Sequence, residues 1–152
     1  MIELRRVTSD NPDFHDLVKL LDQDLALRNG DANAFFTTFN KISLIPYVIV
    51  AYADQKAVGC GALKPYNTTT MEIKRMFVKK EYRGKGIAAA VLKELETWTQ
   101  QLGYSFCILE TGDKMPEALS LYKKMNYHII PNYPPYETIE SSICFEKTLI
   151  KN

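Results

Sequence analysis

The sequence predicts an α/β fold, with one central mixed β-sheet flanked by helices on both faces. Three observations carry this prediction. β-type runs alternate with amphipathic helical segments along the chain. Their order, β, α, α, β, β, β, α, β, α, β, β, is typical of a mixed sheet covered by helices. The length of 152 residues and the 46% hydrophobic content match one compact core. We therefore expect a single domain over residues 1–152.

The first elements are a strand and a helix. Ile2–Val7 is the predicted strand, and the segment 10–12 supplies the cap and first turn of a helix that continues to about Arg28. Its apolar stripe recurs at helical spacing, at Phe14, Leu17, Val18, Leu21 and Leu25. Gly30 ends the helix. The aromatic-rich segment 31–40 is then either a short second helix or a loop.

Three β-type runs follow, and they are rich in β-branched and aromatic residues. Pro46–Tyr52 and Lys56–Lys64 are separated by a turn-like break at residues 53–55, which predicts a β-hairpin. Thr70–Val78 is the next predicted strand. These runs form the centre of the predicted sheet.

The second half continues with helices and strands in alternation. A helix over Ile87–Leu102 is predicted from apolar residues at positions 88, 91, 92, 95, 98 and 102, and Gly103 ends it. Tyr104–Glu110 is a strand, and Asp113 with Pro116 opens a helix whose left-handed stop is Asn126. The remaining predicted strands are Tyr127–Ile130 and Ser142–Leu149, joined by a loop rich in proline and tyrosine.

Charge and hydropathy exclude several classes of partner. Nineteen Lys plus Arg against eighteen Asp plus Glu give a net charge of +1, so no global field favours nucleic acid or an anionic membrane. The chain start does not fit a secretory signal. The longest apolar run, Tyr47–Ala53, is far below the roughly 20 residues of a membrane-spanning helix. We expect a cytoplasmic protein with neither a membrane nor a nucleic-acid partner.

Cysteine and histidine usage favours a chain without a metal. Cys60, Cys107 and Cys144 are odd in number, widely spaced and set in apolar strands, which indicates reduced, buried thiols. His15 and His128 have no neighbouring ligand at metal-binding spacing.

The most informative segment is a strand, a glycine turn and a helix start, from Met71 to Ala88. Six basic residues and one acidic residue lie between Lys74 and Lys85, a local excess in a nearly neutral chain. The N–H groups of a first helical turn bind anions, and glycines let phosphate approach them. A tight turn with a solvated lysine face is the plain alternative. The dinucleotide fingerprint and the Walker A pattern are both absent.

Two motifs in this region resemble those of the GNAT superfamily of N-acetyltransferases. Arg83, Gly86 and Ala88 match its Arg/Gln-x-x-Gly-x-Gly/Ala signature, after the expected strand and at the start of the expected helix. The segment 117–127 is similar to the family's Ala-x-x-Leu-Tyr-x-Lys-x-Gly-Phe helix and its exit. Met115 stands where the family often has asparagine. The resemblance implies a GNAT-like acyl-CoA N-acyltransferase fold and acetyl-CoA as the acetyl donor.

The resemblance also implies where the cofactor binds. Backbone N–H groups of residues 83–88, which are Arg83, Gly84, Lys85, Gly86, Ile87 and Ala88, would hold the pyrophosphate of coenzyme A. In the family, the strand before this turn diverges from the next parallel strand, and its backbone pairs with pantetheine. By position, that strand end is Met76, Phe77 and Val78, with the Met76 N–H at the thioester oxygen.

Catalytic roles follow from the same resemblance and from the chemistry of the acceptor. A lysine-like amine with a pKa of about 10.4 is mostly protonated at neutral pH, so a general base assists its attack. Glu72 aligns with a general base found in the superfamily, and Glu110 is the substitute candidate. Tyr122 matches the family tyrosine that donates a proton to the leaving thiolate. A solvent-facing Glu72 and a core-packing Tyr122 are the alternatives.

The acceptor is predicted in class only. Two aromatic segments, with Phe35 and Phe39 in one and Tyr133 and Tyr136 in the other, suit a small-molecule amine, an amino-acid-like acceptor or a peptide amine. We expect direct attack in a ternary complex, by a monomer or a homodimer. The competing hypothesis is a non-catalytic acyl-CoA-binding module. A nucleic-acid binder is disfavoured because no aromatics interleave with the basic residues.

Overall fold

The computed structural model describes residues 1–29 and 45–149. These residues form seven strands, namely β1 (Ile2–Val7), β2 (Tyr47–Ala53), β3 (Lys56–Pro65), β4 (Thr70–Val78), β5 (Phe106–Gly112), β6 (His128–Ile130) and β7 (Ser142–Thr148). Their α-helices are α1 (Pro12–Asn29), α2 (Ile87–Gln101) and α3 (Pro116–Lys124). The predicted element over residues 31–40 lies outside the described residues. The order of all other predicted elements is confirmed.

The strands form a single mixed sheet, as predicted. The strand order is β1-β2-β3-β4-β5-β7-β6. β4 and β5 pair in parallel, and the other neighbouring strands pair antiparallel. The parallel pair lies in the middle of the sheet, so the two central strands end at the same edge.

Helices cover both faces of this sheet. Alternate side chains of β2 therefore pack into two separate hydrophobic clusters. Val48, Val50 and Tyr52 pack in the cluster that contains the apolar stripe of α1. Ile49 and Ala51 pack in the opposite cluster with α2 and α3. Side chains of successive strand residues point to opposite faces, so a strand buried on both sides reads as the continuous apolar run seen here. We name the two sides the α1 face and the α2 face.

Turns and helix ends follow from local chemistry. Asp54 and Gln55, with φ of 49° and 67°, form the two-residue hairpin between β2 and β3, as a type I′ turn requires. Gly103 and Asn126, with φ of 89° and 71°, end α2 and α3 in the left-handed conformation. The Tyr127 N–H still caps α3 by donating to the Tyr122 carbonyl at 2.9 Å. β6 therefore begins at His128, one residue later than predicted.

β5 begins at Phe106 rather than at the predicted Tyr104. The Tyr104 N–H donates to the Thr99 carbonyl at 3.1 Å, so this residue closes α2 instead of joining the sheet. Cys60, Cys107 and Cys144 are all buried and free, as the sequence predicts. Among the residues that the structure describes, no helix has both the length and the apolar composition needed to cross a membrane.

Candidate active site

The sheet opens between its two central strands. The parallel ladder of β4 and β5 ends at the pair Ile73 and Leu109, although β4 continues to Val78 and β5 to Gly112. Beyond this pair the two strands diverge, and their backbones border a cleft instead of each other. The divergence that the family resemblance implies is therefore present.

A β-bulge lies in β4 where the cleft begins. Cys60 pairs with Phe77 and Ala62 with Lys74, so two residues of β4 oppose one residue of β3. Arg75 has a φ of 59°, which non-glycine residues rarely adopt and which often occurs at functional sites. The bulge changes which face the following side chains occupy.

The helix start after β4 has the geometry of an anion-binding turn. Gly84 and Gly86 have φ of 77° and 82°, and apart from the adjoining backbone no atom of the described residues lies within 4 Å of the position that a Cβ would take at either glycine. Gly86 is the N-cap of the 15-residue α2, whose first backbone bond joins the Ala90 N–H to the Gly86 carbonyl. The preceding N–H groups have no partner within the helix. Open space over free N–H groups fits a diphosphate.

The side chains of Arg83 and Lys85 contact residues beside the turn. Arg83 donates from Nε to the Val78 carbonyl at 2.8 Å, and its guanidinium lies 5.5 Å from the centre of the Phe77 ring. The Lys85 ammonium lies over the Tyr82 ring. The Val78 carbonyl, which the sequence interpretation assigns to pantetheine, thus already accepts one hydrogen bond. A carbonyl oxygen has a second lone pair for another donor.

A cavity of about 600 Å³ runs from the glycine turn toward the bulge. Eight of the nine predicted cofactor residues line it, which are Met76, Phe77, Val78, Arg83, Gly84, Gly86, Ile87 and Ala88, while Lys85 does not. Met115, Leu121 and Met125 add an apolar wall. The volume and the mostly apolar lining fit an extended thiol-bearing chain, and the glycine turn fits its diphosphate end. The residues present therefore fit coenzyme A.

A second, smaller cleft of about 110 Å³ lies on the other side of the bulge. Its polar lining includes Glu72, Lys74, Arg75, Glu110 and Tyr136. The two cavities share five lining residues, namely Leu21, Met76, Met115, Ala118 and Tyr122. The larger cavity therefore meets the smaller one beside Met76 and Tyr122. Groups held in the two cavities would approach each other at this junction.

The two predicted carboxylates have different surroundings in the smaller cleft. Glu72 is buried, accepts a hydrogen bond from the Tyr133 hydroxyl at 2.8 Å, and lies 3.5 Å from the Lys74 ammonium. Glu110 is partly buried and accepts a 2.7 Å hydrogen bond from the Ser142 hydroxyl. Burial raises the pKa of Glu110 to about 7, although Ser142 and Lys74 oppose this rise. Glu110 is therefore half-ionised near neutral pH.

Tyr122 lies at the junction of the two cavities and is 5% exposed. Its ring packs edge-on against Tyr127 at 5.8 Å and tilted against Phe145. Within residues 1–29 and 45–149 its hydroxyl makes no hydrogen bond. Burial raises the Tyr122 pKa above its ordinary value of 10.0, with a smaller contribution from Glu110, so the hydroxyl keeps its proton at neutral pH.

Of the four residues predicted to bind the acceptor, one lines the smaller cleft. Tyr136 lines the smaller cleft, whereas Tyr133 lies behind it, with its ring against Tyr66 and Tyr136 and its hydroxyl on Glu72. Phe35 and Phe39 lie outside the described residues. Sequence reasoning missed the side chains of Lys74 and Arg75 as parts of the cleft. The local excess of basic residues was the signal, and it was interpreted as phosphate binding alone.

Comparison with known proteins agrees with this geometry. The model of the Acetyltransferase (GNAT) family matches residues 14–127. An uncharacterized N-acetyltransferase of Schizosaccharomyces pombe is 33% identical over 78 residues, which cover 51% of this chain and 48% of that protein. The chain thus spans about half the length of this relative.

Solved structures share the fold along nearly the whole chain. One from Klebsiella pneumoniae, assigned to the acyl-CoA N-acyltransferases, has 24% identity and a TM-score of 0.84 and covers 99% of both chains. The PaiA N-acetyltransferase of Thermoplasma acidophilum, solved with coenzyme A, has 20% identity and a TM-score of 0.73 and covers 97% of this chain and 99% of that one.

The fold is that of the acyl-CoA N-acyltransferases, and the paired cavities fit this class of protein. The chain belongs to the GNAT family of acetyltransferases, because the family model matches most of its length. The family and the fold class predicted from the sequence are confirmed. The roles of individual site residues stay predictions.

Proposed function

We propose that this chain transfers an acetyl group from acetyl-CoA to a primary amine by direct attack in a ternary complex. The junction of the two cavities at Met76 and Tyr122 carries the proposal. One cavity ends at an anion-binding turn, and the other holds carboxylates suited to an amine. Two substrates bound in these cavities would meet at the junction, which favours direct transfer between them.

The chain's own backbone would hold the cofactor. N–H groups around Gly84 and Gly86 would bind the diphosphate, and the diverging end of β4, from Met76 to Val78, would face the pantetheine arm. When bound, acetyl-CoA supplies an acetyl group activated as a thioester. The apolar wall from α3 would exclude water from the arm and limit hydrolysis.

Glu110 is the better candidate for the proton acceptor. The amine must lose a proton before it attacks, which costs on the order of 4 to 5 kcal/mol for a pKa of about 10.4. A base is most effective when its pKa lies near the working pH, and the Glu110 pKa of about 7 meets this condition. The Glu72 carboxylate is already engaged by Tyr133 and Lys74. We assign Glu72 to holding these two groups in place.

Tyr122 would supply the proton that the departing sulfur requires. The hydroxyl is protonated at neutral pH, lies where both cavities meet, and is not committed to another group among the described residues. Tyr122 would therefore donate a proton to the sulfur, and Glu110 would accept one from the nitrogen. Both side chains line the same small cleft. This arrangement separates the acid from the base.

The test is thiol release from acetyl-CoA with a panel of primary amines, followed by Tyr122→Phe. We expect the variant to lower kcat by about 10²- to 10⁴-fold while the Kd for acetyl-CoA stays at the wild-type value. Tyr127→Phe is the control, because Tyr127 packs against Tyr122 but lines neither cavity. Its hydroxyl donates to buried Glu96 at 2.8 Å, so this variant also controls for the loss of a buried tyrosine hydrogen bond. Wild-type turnover in Tyr122→Phe would contradict the proposed role. Tight acetyl-CoA binding without transfer to any amine would instead identify a non-catalytic acyl-CoA-binding module.

A further inference from the structure

Two cations that adjoin in sequence are buried side by side on the α1 face of the smaller cleft. In a regular strand, Lys74 and Arg75 would point to opposite faces. The bulge places both on one face, because Lys74 contacts Tyr136 and Arg75 reaches Asp22 of α1. The side chains of Lys74 and Arg75 are each only 5% exposed.

Within residues 1–29 and 45–149, the hydrogen-bonding capacity of these two cations is not filled. Arg75 donates from Nη1 to Asp22 at 2.9 Å, but its Nε is buried and has no hydrogen-bond partner among the described residues. The Lys74 ammonium is 3.3 Å from the Tyr136 hydroxyl and 3.5 Å from Glu72, so both contacts are long. Burial lowers the pKa of Lys74. A buried charged donor without an acceptor is unfavourable unless a ligand supplies one.

We infer that the acceptor carries a carboxylate near its amine, as a free α-amino acid does, and that Arg75 and Lys74 bind this carboxylate. The inference rests on the proposed acetyl transfer and names the acceptor class for the same cleft. A carboxylate would accept charge-assisted hydrogen bonds from both the guanidinium and the ammonium. The amine of the same small molecule would then lie within the cleft that Glu110 lines.

The signs of the charges argue against other acceptors. A polyamine would bring several positive charges against two buried cations. A simple monoamine would bring no acceptor for the Arg75 guanidinium, and the N-terminus of a peptide would offer only a neutral amide carbonyl where the free amino acid has its carboxylate. Only a zwitterion matches both the carboxylates and the cations of a cleft of about 110 Å³.

The experiment compares amino acids with their carboxamides as acceptors. We measure kcat/KM for thiol release with the twenty amino acids and with the corresponding amides. The wild type should prefer the best acid by about 10- to 100-fold, the range of one or two charge-assisted hydrogen bonds. Arg75→Gln and Lys74→Met should each reduce this preference about tenfold, whereas the exposed control Lys56→Met should not. Equal rates for acids and amides in the wild type would overturn the inference.

A second comparison separates carboxylate binding from a structural role of Arg75. If Arg75 only ties α1 to β4, then Asp22→Asn should reproduce Arg75→Gln, because both break the same ion pair. If Arg75 binds the acceptor, Asp22→Asn frees Nη1 and should keep or increase the preference for the acid. Loss of the preference in Asp22→Asn would contradict the inference.

A binding measurement that needs no acetyl transfer tests the carboxylate site separately from the proposed function. Calorimetry with N-acetyl amino acids and their amides probes the same cleft without any acetyl transfer. Tighter binding of the acids, lost in Arg75→Gln, would support the carboxylate site even if no amine were acetylated. Transfer to amines with no discrimination between acid and amide would support the proposed function and refute the inference.

Discussion

Replacing Glu110 by glutamine should stabilise the protein at alkaline pH while it removes activity. In the folded chain, burial raises the Glu110 pKa from an ordinary 4.5 to about 7. This rise corresponds to a penalty of up to about 3 kcal/mol on the ionised form. Glutamine keeps the shape of the side chain without the charge, so it escapes the penalty.

The sign of the pH dependence follows from proton binding. Between pH 4.5 and about 7 the folded state holds a proton on Glu110 that the unfolded state has lost, so stability falls as pH rises. The contribution of Glu110 is fully present below pH 4.5 and is lost as pH rises through about 7. Glu110→Gln should therefore match the wild type near pH 4.5 and exceed it by up to about 3 kcal/mol at pH 8.

Urea denaturation at both pH values measures the stability difference, and thiol release measures the activity. The acid limb of the wild-type kcat/KM profile should have a midpoint near 7, and Glu110→Gln should lose about 10²- to 10⁴-fold. Glu140→Gln, at an exposed residue, should change neither. No gain in stability at pH 8 would refute the burial argument. A gain in stability with full activity would refute the catalytic one.

Three further substitutions test the turn, the bulge and the second carboxylate. Gly86→Glu should weaken coenzyme A binding in calorimetry by crowding and repelling the diphosphate. Gly103→Glu, at a glycine with similar φ and equally open surroundings, should lose comparable stability with unchanged affinity. Gly61→Val should cost about 1 to 3 kcal/mol in denaturant unfolding, since even a Cβ there would lie 2.7 to 2.9 Å from three side-chain atoms. Tyr133→Phe should cost about 1 to 3 kcal/mol by removing the hydrogen bond to buried Glu72. Destabilisation below 0.5 kcal/mol in either of the last two would contradict these contacts.

Elements with local signals could be predicted from the sequence. β2 is buried on both faces, so it has a continuous apolar run, and α2 is buried along one face, so its apolar residues recur with a period of about 3.6 residues. Both patterns can be read from neighbouring residues in the sequence. Gly103 and Asn126 end helices because a left-handed residue is required there, and both residue types accept it. The glycine turn was predictable for the same reason.

The bulge could not be predicted, because its cause lies on a neighbouring strand. An added Cβ at Gly61 would be only 2.7 Å from the sulfur of Met76, so the missing side chain of β3 makes room for β4 to place Met76 there. Strict alternation of side chains along β4 would place Arg75 on the α2 face, whereas it lies on the α1 face with Asp22. The cleft side chains of Lys74 and Arg75 were missed for this reason.

The preference for Glu110 over Glu72 was also beyond local reasoning. Each glutamate lies on a central strand, and the order of elements treats them alike. Two of the three partners are distant in sequence, since Tyr133 bonds Glu72 and Ser142 bonds Glu110, while the nearby Lys74 adds an ion pair to Glu72 alone. Only the assembled sheet brings these partners together.

Helix α1 links the two cavities through its last turns. Asp22 holds Arg75 beside the smaller cleft, and Asp24 lies 3.7 Å from Arg83 at the larger cavity. Arg28 pairs with Asp24 at 3.1 Å and reaches across to Glu117 of α3. These ion pairs tie one helix to Arg75, which lines the smaller cleft, and to Arg83, which lines the larger cavity. The charged residues of α1 therefore position side chains in both cavities.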